Sequence, residues 1–293
     1  MRTPYLLMLT CCCSMNLTGT ELPAGILRWI DPEATVVRSV DFERHTRSPL
    51  NALFRVNAHE TFCRPACPPL PRRVVYVSGI EGGEPWEYEI VEGVPPIPKP
   101  PTADPDEEFS FHAVNGYLLA DVAVGANLAL RGHADRIRKA IERSKASDQK
   151  QSELVERIRN LSAQYDNWIL AIKPLASFSR ERVAAGRLAT ELIEAVEEVR
   201  AGVRFGASNA IGLEIAAKTA EDANGVAALL RWLPGFFELT NSTSFVPPGL
   251  LDLMEESRIQ VSGATALFSF SLSDASLTEF ARKLEEQEKQ NQM

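Results

Sequence analysis

A hairpin followed by a helix recurs along this chain, near 117–143, 203–230 and 259–284, and no other feature constrains the fold as tightly. In the first copy, Tyr117–Val122 and Asn127–Arg131 read as strands that end at Gly132. A helix from Ala134 to Ser147 follows, with Ile137, Ala140 and Ile141 on one face. In the second, Val203–Ala207 and Ala210–Ala216 form a hairpin across Ser208-Asn209. Thr219 then caps a helix that Val226, Leu229, Leu230 and Leu233 carry to Pro234-Gly235. In the third, Ile259–Val261 pairs with Ala266–Leu272. Ser273-Asp274 opens the final helix, whose Leu277, Phe280, Ala281 and Leu284 face the core. The last two turns match, Gly206-Ala207-Ser208 against Gly263-Ala264-Thr265. Such a unit buries one sheet face under its own helix, and several must join edges to make a stable sheet. The economical assembly is α+β: two ferredoxin-like halves built from hairpin–helix units, an antiparallel sheet covered by helices on one face. The halves divide as 21–175 and 176–293.

The remaining elements fill in this plan. Leu22–Ile30 reads as a short helical or turn segment and Thr35–Phe42 as a strand. Ser48-Pro49 has the cap and first-turn chemistry of a helix start. Arg73–Ile80 and Trp86–Val91 form a hairpin around the turn Gly79–Gly83, and Phe109–Val114 reaches Tyr117 through Asn115-Gly116. A helix spans Ser152–Gln164, a buried strand Asn167–Ile172 stops at Pro174, and Leu188, Leu192, Val196 and Val199 predict a helix over Arg187–Val199. Pro247-Pro248 opens a short helix. Between Val94 and Pro105, Pro95, Pro96, Pro98, Pro100, Pro101 and Pro105 enforce extended backbone, which predicts an irregular, exposed connection.

The N-terminus points outward from the cytosol. No charge falls between Thr3 and Thr20, Arg2 supplies a minimal positive start, and Tyr5–Leu9 is apolar. Residues 1–20 read as a secretory signal, and Thr10, Ser14, Asn16 and Thr18 dilute the stretch too much for a spanning helix. Leu9-Thr10-Cys11-Cys12 is close to a lipobox, but Cys11 stands where Gly, Ala or Ser is required. The expected location is therefore extracytoplasmic, periplasmic or secreted, with membrane contact only if the leader is lipidated or uncleaved. Cys63 and Cys67 would remain in the exported chain and could close a small disulfide loop. With His59 they are a poor metal trio, since Pro65, Pro68 and Pro69 forbid a helix and no fourth ligand is evident.

A run from Asn127 to Arg143 (a strand ending in Gly132, then Ile137-Arg138-Lys139-Ala140-Ile141) resembles a recurring segment of exported bacterial proteins of unknown function. Asp166–Ala171 and Thr219–Ala223 fit the same pattern. The resemblance extends from about Thr35 to the C-terminus and implies repeated ferredoxin-like α+β units. It transfers no catalytic residue, and the proline-rich stretch and Cys63 and Cys67 depart from it.

The chemistry-bearing residues assemble no recognisable centre. The formal charge of −8 argues against a general nucleic-acid binder. His45, His59, His112 and His133 lack metalloprotease spacing, with His133 placed at a helix entrance. Ser147-Asp148-Gln149-Lys150 has the Ser-x-x-Lys spacing but lies in polar linker without the companion elements. Neither a nucleophile elbow nor a Walker loop is present. The basic region Arg131–Arg159 interleaves with acids and reads as a solvated face, and Trp232, Leu233, Phe236 and Phe237 read as core. No catalytic, cofactor-binding or metal-binding residue is assigned, and no cofactor is expected. The expectation is an exported, non-catalytic binding or structural module of the cell envelope, meeting a protein or envelope partner. The alternatives are an enzyme with a site assembled from dispersed residues and a cytosolic scaffold.

Overall fold

The computed structural model of the chain describes residues 21–49, 71–93, 111–114, 117–125, 127–145, 152–173, 194–240 and 255–291. Its strands are β1 (Val36–Asp41), β2 (Arg73–Glu81), β3 (Glu84–Glu92), β4 (Phe111–Val114), β5 (Tyr117–Gly125), β6 (Leu128–His133), β7 (Asn167–Ile172), β8 (Val196–Arg204), β9 (Ser208–Ala217), β10 (Glu255–Ser262) and β11 (Thr265–Ser273). The helices among the described residues are α1 (Ala24–Leu27), α2 (Phe42–Arg47), α3 (Ala134–Lys145), α4 (Glu153–Gln164), α5 (Ala220–Thr240) and α6 (Asp274–Asn291). All eleven strands join one sheet in the order β10-β11-β9-β8-β7-β1-β2-β3-β6-β5-β4. Every neighbouring pair is antiparallel. The α+β class and all three hairpin–helix successions are present, as β5-β6-α3, β8-β9-α5 and β10-β11-α6. The strand order does not show ferredoxin-like halves: β7 and β8 pair directly, so the sheet runs unbroken from one end of the chain to the other.

The helices do not share a face. Directly paired residues in an antiparallel sheet point to the same side, so the register tracks each face from strand to strand. Trp168 and Leu170 of β7 pack in one cluster with Val37, Val77, Tyr88, Ile90 and Leu130, under Ile137 of α3 and Leu154, Ile158 and Leu161 of α4. Across β8 that side continues through Gly202 and Arg200, the partners of Trp168 and Leu170, and then through Gly212 and Glu214 of β9. Yet α5 and α6 pack against Ile211, Leu213 and Ile215 of β9 and against Ala266, Phe268, Phe270 and Leu272 of β11, which are the alternate residues. The expected single-sided covering is thus replaced by a split one. Helices α3 and α4 lie on one face and α5 and α6 on the other, where Phe42 of the short α2 also packs, against Val74, Tyr76 and Val91. The reason is that each hairpin–helix unit is amphipathic in itself, and only the pairing at β7–β8 decides which side of the shared sheet it uses.

Three local readings are corrected. Residues 196–199 are strand, not the end of a helix over 187–199, because pairing with β7 and β9 outweighs their helical spacing. The turn after β8 falls at 205–207, and Ser208 and Asn209 begin β9. Asn209 is fully buried, donating from Nδ2 to the Leu272 carbonyl and to Asp274 Oδ1. Ser48 closes α2, its backbone N–H donating to the His45 carbonyl, and Pro49 directly after it is helical again, where Ser48-Pro49 predicts a helix start. Helix α5 runs through Pro234 to Thr240.

Caps and turns otherwise follow the sequence. Ser152 accepts from Val155 N at 3.3 Å, Thr219 from Asp222 N at 3.1 Å and Ser273 from Ser276 N at 3.1 Å, each satisfying a first-turn donor. Gly132 has φ +152°, and a Cβ there would stand 2.7 Å from Tyr88 Cβ, so the close approach of β3 and β6 needs glycine. The leader, Cys63, Cys67, His59, the 94–105 stretch, Ser147, Lys150 and the short helix at Pro247 lie outside the described residues.

A polar clamp holds one end of the sheet together. Asp166, its side chain fully buried, accepts from Arg44 Nη1 at 2.6 Å and from Phe205 N at 2.8 Å. Asp41 caps α2 and accepts from the buried Arg73, while its backbone N–H donates to Asn167 Oδ1. Charges removed from water need such multiple partners to persist. The clamp ties β1, β7 and β8 into one end wall and fixes the residue just before Asp166.

Candidate functional site

That residue is Tyr165. It is the extended cap after α4, with φ −130° and ψ 148°, and its N–H closes the helix on the Leu161 carbonyl. With Asp166 anchored, the ring is laid across β8 and β9 over Gly202 and Gly212, which are register partners. An added Cβ would stand 2.2 Å from Tyr165 Cγ at Gly202 and 2.0 Å from Oη at Gly212. The glycine pair is the bed of the tyrosine, on the sheet face that α5 and α6 leave uncovered.

Beside this ring lies an open groove of about 320 Å³, lined by Gln164, Tyr165, Arg204, Gly212, Arg258, Ser269 and Ser271 among others. Two rows of cross-strand neighbours build it. One runs Gly202, Gly212, Ser269, Arg258; the other runs Arg204, Ala210, Ser271, Glu255. Arg258 and Ser269 are exposed, and Arg204 is half-buried. Arg204, Arg258 and Ser271 already hold partners within the protein. Among the described residues, no carboxylate, histidine or cysteine lines it. Burial pushes the Tyr165 phenol up, Glu214 adds to the shift and Arg204 opposes it, so the hydroxyl keeps its proton and remains a donor. The groove therefore offers hydrogen-bond donors and positive charge, which hold a ligand.

A second hollow, of about 590 Å³, lies between β2, β3 and α3. Its cations are committed: Arg136 pairs with Glu81 and covers the Trp86 ring, Lys139 reaches Glu81 at 3.0 Å, and Arg138 reaches Asp135 at 2.9 Å. Lys139 and Arg136 hold the Glu81 carboxyl below its usual range. His133 lines this hollow, at the end of β6 where the sequence placed a helix entrance. His45 stands apart on α2, 3.4 Å from Asn167 Nδ2 and edge-on to Phe205. The structure brings no two histidines together among the described residues, and holds there no group of three or more metal-ligating side chains. The basic stretch is interleaved as expected: Arg143 meets Asp31 at 2.8 Å, Arg157 meets Glu153 and Glu198, and Arg159 meets Glu156 at 2.9 Å. Among the described residues no helix is long and apolar enough to cross a membrane.

Sequence reasoning missed the groove. Gly202, Gly212 and Tyr165 carry no motif, and only the register of β8 on β9 makes them neighbours. The one legible hint was the placing of glycines at interior strand positions, which marks close approach by another group.

No protein-family model matches the chain, and no curated protein matches it. Among solved structures it is similar to TP0453, a Treponema pallidum protein of unknown function, over most of its length. Against crystal form III the identity is 8%, covering 86% of this chain and 96% of that one, with a TM-score of 0.46. Against form I the identity is 8%, covering 88% and 97%, with a TM-score of 0.45.

Proposed function

We propose that the chain is an exported, non-catalytic binding module of the cell envelope, and that the groove beside Tyr165 is where it meets its ligand. One observation carries the binding role: the open face of the C-terminal half-sheet holds a groove whose described lining offers the donors of Tyr165, Gln164, Ser269 and Ser271. The location rests on the uncharged leader Thr3–Thr20 behind Arg2. The hairpin–helix units are read as repeats of one building block that met edge to edge.

Two measurements test this reading. Intact mass of the native protein should show residues near 1–20 removed, or a lipid added; retention of Met1 in a cytosolic protein would remove the location. A photo-crosslinking residue placed at exposed Ser269 should give a defined adduct in the native envelope, whereas the same probe at exposed Glu84 on β3 should not. Equal labelling at the two positions, or none at Ser269, would defeat the binding role.

A further inference from the structure

We infer that β10, at the end of the sheet, is the surface through which two copies of this chain pair edge to edge, antiparallel and about a two-fold axis at Gln260. The inference stands apart from the groove. An edge strand presents a row of backbone N–H and C=O groups that a further strand can take up, and edges that must stay single are shortened, charged or broken by proline. β10 ends the strand order, with β11 as its neighbour. It runs for eight residues, against four for β4 at the other edge. From Arg258 to Ser262 its register on β11 is unbroken, the irregularity lying before it, between Glu255 and Arg258. That stretch holds one charge and no proline, and each of its residues is exposed or partly exposed.

The turn fixes which backbone groups face outward. Gly263, at φ +57°, and Ala264 are its two residues, so Ser262 and Thr265 form the closing pair that exchanges both of its bonds. Bonded and non-bonded pairs alternate from there, so Gln260 and Arg258 direct their N–H and C=O groups to β11, and Ile259 and Val261 direct theirs to the open edge. A second copy placed about Gln260 sets Ile259 opposite the partner's Val261, and Val261 opposite the partner's Ile259. These are the residues with outward backbone groups, so each pair can exchange both bonds. The side chains agree. Ile259 and Val261 lie on the α5 side in one cluster with Phe268 and Ala266, their neighbours on β11. Both keep part of their surface open, and pairing continues their two apolar rows across the seam. Arg258 falls opposite the partner's Ser262, so no like charges meet, whereas centring the pair on Arg258 would set that guanidinium against its own copy. The axis stands normal to the sheet, so both copies of α5, which packs over β10 and β11, lie on one face of the joined sheet.

Sedimentation equilibrium of the full chain tests this, and a dimer is expected. Gln260→Lys and Gln260→Glu should each raise its dissociation constant by about tenfold or more, because each sets like charges face to face on the axis. An equal mixture of the two variants should recover association, since opposite charges then meet there. Gln260 is exposed and on the face away from α5, so both variants should keep the urea midpoint of the parent. Hydrogen exchange gives a second readout that needs no substitution. The amides of Ile259 and Val261 should gain protection as the concentration of the chain rises, while that of Gln260, already bonded to β11, should not change. A chain that sediments as a monomer throughout, a dimer indifferent to both Gln260 variants, or a mixture no tighter than either variant alone overturns the inference. So does protection of Ile259 and Val261 that is independent of concentration, which would mean that the edge is covered within one chain. Protection that appears only on adding an envelope extract assigns the edge to another protein and overturns it as well.

Discussion

Replacing Gly202 with alanine should cost more than replacing Gly212, although the two glycines face each other across β8 and β9. Neither has the positive φ that strains an L-residue, so alanine gains about 0.5–1 kcal/mol from the lower entropy of the unfolded chain. Against this stands overlap with Tyr165. At Gly202 the new Cβ falls 2.2 Å from Cγ, 2.5 Å from Cδ2 and 2.6 Å from Cβ, the root of the ring, which cannot swing away while Asp166 pins the next residue. At Gly212 it falls 2.0 Å from Oη and 2.9 Å from Cζ, the far end, which a small swing about the Cα–Cβ bond carries clear while the root moves little. Overpacking costs about 1–3 kcal/mol, so Gly202→Ala should lose about 1–2 kcal/mol net and Gly212→Ala should fall within about 0.5 kcal/mol of the parent. The assay is urea unfolding of the full chain with a double-mutant cycle to Tyr165→Ala. Removing the ring should recover most of the Gly202→Ala loss, leaving a coupling of at least about 1 kcal/mol. Equal stability of Gly202→Ala and the parent, or additivity with Tyr165→Ala, would refute the account of the glycine pair as the bed of the ring.

The other predictions concern buried polar groups. Asp166→Asn should lose about 2–3 kcal/mol by thermal or urea unfolding, because two donors are left facing a neutral amide. Arg44→Gln should lose less, since Arg44 is 44% exposed and the Phe205 N–H bond survives. Tyr88→Phe should lose about 1–3 kcal/mol, as the Tyr88 hydroxyl both donates to the Trp29 carbonyl at 2.6 Å and accepts from Asp31 N at 3.0 Å. Burial raises the Tyr88 pKa well above that of a free tyrosine, so the unfolded chain releases its proton first. Stability from this group is whole below about pH 10 and declines as pH climbs beyond it, and the ultraviolet tyrosinate signal of Tyr88 should appear only with unfolding.

What was legible in the sequence was local. The periods of Ile137, Ala140 and Ile141 and of Leu154, Ile158 and Leu161 gave α3 and α4, and β-branched runs such as Arg73–Ile80 gave β2. The helical patterns express one element against one core, while β2, which packs Val75 and Val77 on one face and Val74 and Tyr76 on the other, is legible from its unbroken β-branched run. The misread elements are those that serve two masters. β8 is flanked by α4 on one side and by the α5 and α6 cores on the other, so it has no clean alternation, and a register shift between Val196 and Glu198 breaks the period further. Asn209 looks like a turn residue because its side chain favours turns, yet three tertiary hydrogen bonds hold it in β9. The groove was invisible for the same reason: Tyr165, Gly202 and Gly212 meet only through pairing at long sequence separation.

The exchange of faces at β8 also sets how this chain can change over evolutionary time. In a strand with one buried side, losing or gaining a single residue spoils one core and exposes one row of apolar groups. In β8 the same slip would drive Arg200 toward the side of Leu213 and Ile215 while turning Val203 toward the Tyr165 side. Both cores and the groove would be lost in one step. Length variation should therefore collect in the connections, and β8 should hold its count of residues even where its identities drift.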